Sequence, residues 1–498
     1  MIKLFWKVYS RLTSGGSTEE MAIQSGIWVT GINVADRALQ LVNVIILARL
    51  LSPEAFGLLG IALVVLAAFQ QLSKLGFDEA LVQHRDENID QYLNTAWLMK
   101  IGRGAFIALA AFILGPYISE FFGEPDAAAI IQVIGISPLL LSLQNPAIVY
   151  FQKDLEFHKE FAYKIGGRIV DLVTAIAFAL IFQNVWALVV GLLAGRVTML
   201  LLSYTIHDYR PQIEFVWEYG QEMFDFGKWL FLSGILFFLY AQGDDAFVGW
   251  FFGATALGYY QLAYRFSNAP ATEVTQVIAR VSFPAFSKIQ DDTQKLREGY
   301  FRVLHATTLV GFPIAAGLIA VAPQFVHVVL GSQWIETIIL IQVLALWGAI
   351  RAFGASTGAL FKAIGRPDIT TKLQAIKVAI LVITIYPAST QWGVTGVAVA
   401  VVANAVLIQP IVVYLIVSVT EGSLKRLLFL LICPLAGSTL MALGVVGVDE
   451  YVFDGTGILQ LLFLIAVGVV IYVIFMLLLE ETSQYEFSEL YHTLRGAV

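Results

Sequence analysis

Four arginines stand where so apolar a chain rarely places charge. Arg37, Arg196, Arg265 and Arg351 each lie well inside long hydrophobic stretches. A guanidinium held away from water makes paired, charge-assisted hydrogen bonds to phosphate oxygens, and its planar fork suits a phosphate or pyrophosphate better than an ammonium does. These four residues therefore point to binding of an anionic group. Acids supply a second chemistry. Asp36 adjoins Arg37, and Asp244 and Asp245 are consecutive inside another apolar stretch. Neighbouring carboxylates in a poorly hydrated place repel each other and favour uptake of a proton or sodium ion, which is what an ion-coupling site requires. The plainer readings stay open. The arginines pair with interior carboxylates or extend to the interface, and the aspartate pair lies on a solvated outer rim. Lys100, Arg103, Arg168 and Arg302 lie nearer the ends of their stretches, where pairing or snorkelling is the better reading. Arg168 and Asp171, three apart on one helical face, form a structural pair.

The elements that position these residues are membrane spans. Hydrophobic residues make up 58% of the chain and charged residues 13%, and the mean hydropathy is +0.78, far outside the range of soluble domains. Apolar segments of about 20 residues or more, enough to cross a bilayer, fall at 22–50, 54–77, 93–118, 127–151, 161–182, 185–206 and 224–249. Seven more fall at 255–279, 301–322, 335–360, 372–390, 393–418, 425–447 and 457–480. Short connections leave no room for a large soluble domain. Pro138, Pro270, Pro313 and Pro410 interrupt spans four, eight, nine and twelve, where each removes a backbone hydrogen bond and allows a bend. The first twenty residues carry Lys3, Lys7 and Arg11 without a long apolar core or cleavage site, so the first span is read as retained.

Lysine and arginine are retained on the cytoplasmic side of a membrane. With the N-terminus inside, the inner segments hold Lys3, Lys7, Arg11, Arg85, Lys153, Lys159, Arg210, Lys288, Lys295, Arg297, Lys362, Arg366, Lys425 and Arg426, and Arg49 is the clear outer exception. Both termini are expected in the cytoplasm. Acids crowd the inner connector DEALVQHRDENID at 78–90. Cys433 is the sole cysteine and lies in an apolar segment, which excludes an internal disulfide and a CxxC site. A net charge of −7 without a basic tract excludes nucleic acid as a partner. No P-loop, HExxH or GxSxG is present, so no catalytic residue, metal ligand or cofactor is assigned. The stretch EFHKE at 156–160 reads as the wet face of an interfacial helix.

The chain also repeats itself. ARLLSPEAFGLLGIA at 48–62 and GWFFGATALGYYQLA at 249–263 align at an offset of 201 residues, matching at Ala55/Ala256, Gly57/Gly258 and Ala62/Ala263. Both straddle an outer turn between two spans. VWALVVGLLAGRV at 185–197 and VTGVAVAVVANAV at 394–406 echo each other in the same way. Six spans per repeat in one orientation imply two parallel lobes about an axis normal to the membrane, with a cavity between them. The expected fold is an all-α polytopic membrane protein of about 14 transmembrane helices, two parallel six-helix lobes around a central cavity plus two extra C-terminal helices. The boundaries are a cytoplasmic segment 1–21, an N-lobe 22–209, a cytoplasmic linker 210–223, a C-lobe 224–418, two added helices within 419–480 and a cytoplasmic tail 481–498.

At ILARLLSPEAFG (46–57), DDAFVGWFFGATALGYYQLAYR (244–265), FPAFSKIQDD (283–292) and ALFKAIGRPD (359–368) the sequence resembles the polysaccharide-transport branch of the multidrug, oligosaccharidyl-lipid and polysaccharide exporter superfamily. The resemblance covers nearly the whole chain. It implies a flippase that carries a lipid-linked oligosaccharide from the inner to the outer face of a bacterial or archaeal cell membrane, driven by an ion gradient or the membrane potential. It also implies that the first helix pair of each lobe, which bears Arg37 and Arg265, lines the cavity, and that Asp244 occupies the family's acidic position. The partners expected are the lipid-linked oligosaccharide, membrane lipids and a coupling Na+ or H+, with the chain acting as a monomer. A multidrug antiporter is the alternative reading, though an organic cation calls for an acidic, aromatic cavity. A membrane glycosyltransferase or polymerase would need a sizeable outer loop with catalytic acids.

Overall fold

In a lipid core every backbone N–H and C=O must bond within its own segment, so spans of this composition become helices. The computed structural model describes residues 18–73, 90–153, 156–453 and 455–482, and helix is the only regular structure among them. Lys3, Lys7, Arg11, His84, Arg85, His492 and nearly all of the acidic stretch 78–90 lie outside the described residues. The helices are α1 Thr18–Leu50, α2 Pro53–Leu72, α3 Asp90–Phe121, α4 Ala127–Ile134, α5 Ser137–Ser142, α6 Phe157–Phe182 and α7 Trp186–Ile206. They continue with α8 Trp217–Lys288, α9 Thr293–Phe325, α10 Thr337–Ala363, α11 Pro367–Thr420, α12 Leu424–Val452 and α13 Ile458–Thr482.

Ten helices among the described residues are long and apolar enough to cross a membrane, joined by the shorter apolar stretch Ala127–Ser142. Large apolar side chains are exposed along them, as on α13, where Leu459, Leu462, Ile465, Val469 and Val470 face outward. Hydrocarbon is the solvent such a surface fits. The chain is a multi-pass membrane protein.

Two of the expected loops are single turns inside one helix. α8 has 72 residues, at about 1.5 Å per residue several times a bilayer core of about 30 Å. It departs from helical geometry only at Gly253 (φ 82°, ψ −176°), a conformation that glycine alone adopts without strain. α11 turns in the same way at Trp392 and Gly393. Span four, expected as one stretch at 127–151, is instead divided into α4, α5, a 3-10 turn at Pro146–Val149 and a single α-helical turn at Tyr150–Lys153. Pro138 lies in the first turn of α5, where its missing N–H breaks no bond, so it begins a helix rather than bending one.

The helices fall into two compact units, one of Met1–Phe238 with Gly249–Gly258, the other of Leu239–Val248 with Tyr259–Val498. In unit 1, α6 and α7 approach closely because small residues face each other: a Cβ on Gly195 would lie 2.9 Å from the Gly167 carbonyl oxygen. The segment after α7 is tied to α3, with Tyr209 Oη and Gln212 N donating to Asn94 Oδ1 at 2.7 and 3.0 Å. Ser52 caps α2 by accepting the Ala55 N–H at 3.3 Å. At this corner the two halves of the sequence repeat meet. A Cβ on Gly57 would fall 1.6 Å from the Ala254 oxygen, and a Cβ on Gly258 would fall 2.0 Å from the Pro53 oxygen. Pro53 and Ala254 are themselves repeat partners, so the contact is reciprocal, as a two-fold axis demands. The Glu124 carboxylate accepts the Ala254 N–H at 2.7 Å and caps the helix that restarts after Gly253.

Unit 2 is built on a cluster that includes Phe286, Tyr300, Phe301, Phe361 and Ile408, drawn from α8, α9, α10 and α11. Asp292 caps α9, accepting the Lys295 N–H at 3.0 Å, and that bond holds its carboxyl below the ordinary carboxylate range. α12 and α13 close the unit through Met441, Tyr472 and Met476, with Tyr472 Oη donating to the Leu309 oxygen at 2.9 Å.

Candidate functional site

Each unit holds a polar cavity within its helices. In unit 1, α1 contributes Asn33 and Asp36, α6 contributes Lys164, Arg168 and Asp171, and α7 contributes Arg196 to a cavity of about 280 Å³. Arg168 donates through Nε to Asp36 at 2.8 Å and through Nη1 to Asp171 at 3.0 Å. The expected Arg168–Asp171 pair is thus present, and it extends to α1. Asp36 also accepts from Gln40 Nε2 at 2.7 Å, and Gln40 accepts from Arg37 at 3.4 Å. With both carboxylates engaged by Arg168, Arg196 has as its hydrogen-bond acceptor among the described residues only the Met199 sulfur, 3.8 Å away. Its fork therefore faces a cavity whose acids are already taken.

In unit 2 the cavity is small, about 30 Å³, and is lined by Tyr240, Asp244, Tyr264, Trp347, Lys377 and Asn404. Asp244 is buried and accepts from Tyr260 Oη at 2.7 Å. Asp245 Oδ1 is buried and has no hydrogen-bond partner among the described residues. The reading of this pair as a solvated rim is overturned. Asn404 donates to the Lys377 carbonyl at 2.7 Å, while its Oδ1 is buried with no partner among the described residues. Two cations lie over aromatic faces of this cavity's lining: Arg351 over Trp347 at 4.7 Å and Lys377 over Tyr240 at 5.7 Å.

Of the residues singled out in the sequence, Asp36 and Arg196 are brought together in unit 1, and Asp244 lines the cavity in unit 2 with Arg351 stacked on its wall. Arg37 and Arg265 have exposed side chains and line neither cavity. Lys377 went unnoticed although it is an interior lysine in the stretch 372–390, the same signal that picked out the arginines. Arg103, expected to pair or snorkel, donates to the Gln70 carbonyl at 2.6 Å and to Ser73 Oγ at 3.0 Å, closing the end of α2. Glu160 is not on a wet face: α6 starts at Phe157, and the glutamate is buried beside Lys164 at 2.6 Å.

Comparison with known proteins follows this architecture. Over 383 residues the chain is 29% identical to the lipopolysaccharide biosynthesis protein WzxC of Escherichia coli strain K12, covering 76% of this chain and 78% of that one. It is 26% identical to the succinoglycan biosynthesis transport protein ExoT of Rhizobium meliloti strain 1021, covering 62% of each. Among solved structures, the lipid II flippase MurJ in an inward closed conformation superposes with a TM-score of 0.70 at 16% identity, over 91% of this chain and 99% of that one. That likeness establishes a shared fold. The family described as polysaccharide biosynthesis protein matches residues 46–339, more than half of the chain, and the chain belongs to that family.

Proposed function

We propose that this protein is a flippase that moves a lipid-linked oligosaccharide across the membrane and catalyses no covalent chemistry. The carrier lipid is a polyprenyl or dolichyl phosphate or pyrophosphate, and the direction is from the cytoplasmic to the outer face of a bacterial or archaeal cell membrane. Support comes from the family, from relatives named for polysaccharide biosynthesis and transport, and from a fold shared with the lipid II flippase MurJ. The observation that carries the reading is the pair of polar cavities inside membrane helices, since buried charge in a span is retained where it faces a cavity or a partner.

The mechanism proposed is alternating access, with the lobes 22–209 and 224–418 rocking about the repeat axis. Arg37 and Arg265 hold the phosphate head group from opposite lobes, and Arg196 and Arg351 make further contacts to anionic groups. Asp244 and Asp245, with Asp36, take up the coupling Na+ or H+. The polyprenyl tail stays in the bilayer while the polar part crosses. Both termini are cytoplasmic, and the chain works as a monomer. Deleting the gene and isolating the lipid-linked sugars tests this: one species should accumulate on the inner face and disperse when the intact chain is restored. No change in that pool would count against the proposal.

A further inference from the structure

The cavity that holds Arg196 adjoins another of about 380 Å³, the two sharing Lys164 and Met199 in their walls. Trp97 and Gln144 line this second cavity. Two buried donors and one weakly bonded guanidinium are left over across the two. Gln144 is 6% exposed, and its Nε2 has no partner among the described residues, although its Oε1 accepts from Tyr163 Oη. Trp97 Nε1 is also buried without a partner among the described residues. Arg196 has as acceptor among the described residues only the Met199 sulfur, at 3.8 Å. Buried donors are normally satisfied, and leaving two in one cavity beside a half-buried guanidinium in the next is costly unless an occupant supplies acceptors.

The kind of occupant follows from the lining. Both unpartnered groups and the guanidinium are donors, so the occupant is rich in oxygen acceptors. Trp97 adds an aromatic wall, against which the C–H face of a sugar ring packs while its hydroxyls reach the polar side. The acids in the first cavity are held by Arg168, which leaves the Arg196 fork for an external carboxylate. Together the cavities fall within the range of about 300–1,000 Å³ usual for small-ligand sites, larger than a bare phosphate needs. We infer that these adjoining cavities of unit 1 form a subsite for an acidic sugar of the glycan, with Arg196 on its carboxylate and Trp97 and Gln144 on the ring and its hydroxyls. This rests on the flippase reading and adds to it a class of cargo, a glycan bearing a uronate or similar acid.

Carboxylate and phosphate are both anions, so the test separates them. The full chain in lipid nanodiscs is titrated with three probes: farnesyl diphosphate, its glucose conjugate and its glucuronate conjugate. The wild type should bind the glucuronate conjugate about tenfold more tightly than the glucose conjugate, the worth of one charge-assisted bond. Arg196→Gln should erase that preference, and Arg196→Lys should restore part of it. Equal wild-type affinity for the two conjugates overturns the subsite without requiring any variant to fold. So does an equal loss for all three probes in Arg196→Gln, which would place the lipid phosphate at Arg196 and leave the flippase reading standing. Failure of every probe to bind the wild type would overturn the subsite and the flippase reading together.

Discussion

Adding one methyl group at Gly57 should open the corner where the sequence repeat meets itself. An alanine Cβ there would lie 1.6 Å from the Ala254 oxygen and 2.3 Å from its carbonyl carbon. Unstrained non-bonded heavy atoms sit about 3.5 Å apart or more, so the backbones must part by about 2 Å. Overpacking of this kind costs about 1–3 kcal/mol, and contact with rigid backbone places it at the upper end. Gly258→Ala meets the Pro53 oxygen at 2.0 Å and should cost nearly as much. Because the two clashes are halves of one reciprocal contact, a single displacement relieves both. The double variant should therefore cost about as much as the worse single, a coupling of about 1–3 kcal/mol. Thermal and denaturant unfolding in detergent, compared across wild type, both singles and the double, measures this. Gly354→Ala, with nothing within 4 Å of the new Cβ, serves as the silent control. A stable Gly57→Ala, or full additivity in the double, would refute the reasoning.

Further outcomes are expected. Arg37→Ala and Arg265→Ala should each stop export while leaving the folded protein intact, and lysine at either position should rescue only in part because a point charge replaces a fork; normal export by both alanine variants removes them from the head-group site. Asp244→Asn with Asp245→Asn should change the pH or sodium dependence of transport more than substrate binding, and an unaltered profile excludes the pair from coupling. In a Cys433→Ala background, oxidising cysteines introduced by Ser52→Cys and Thr255→Cys should abolish export until they are reduced, these positions flanking Pro53 and Ala254 of the reciprocal contact. Complete cross-linking with continued transport would rule out rocking as the mechanism.

The repeat was legible because close backbone approach restricts the residue: Gly57 and Gly258 survive in both copies since neither tolerates a side chain. The helical class was legible from hydropathy alone. Helix ends were not, because the turns at Gly253 and at Trp392–Gly393 take one or two residues and leave no polar loop to read. For the sites, the sequence identified local pairs such as Arg168 with Asp171 and adjacent acids such as Asp244 with Asp245. It could not reveal that Arg168 also reaches Asp36, 132 residues away, since that bond depends on how α1 packs on α6. The same holds for Glu124 capping Ala254, 130 residues on. Burial was misjudged where a charged stretch opens directly into a span, as at Glu160, which is buried while its partner Lys164, one turn on, stays exposed.

Transport itself is the most direct test. Purified protein in liposomes is given a fluorescent lipid-linked oligosaccharide in both leaflets, and a membrane-impermeant quencher is added outside. A flippase exposes the inner-leaflet pool, so quenching should proceed past the outer half toward completion, faster with an imposed ion gradient and no faster than in empty liposomes for Arg265→Ala. Quenching that stops at the outer half with wild-type protein, under every gradient tried, would contradict the account.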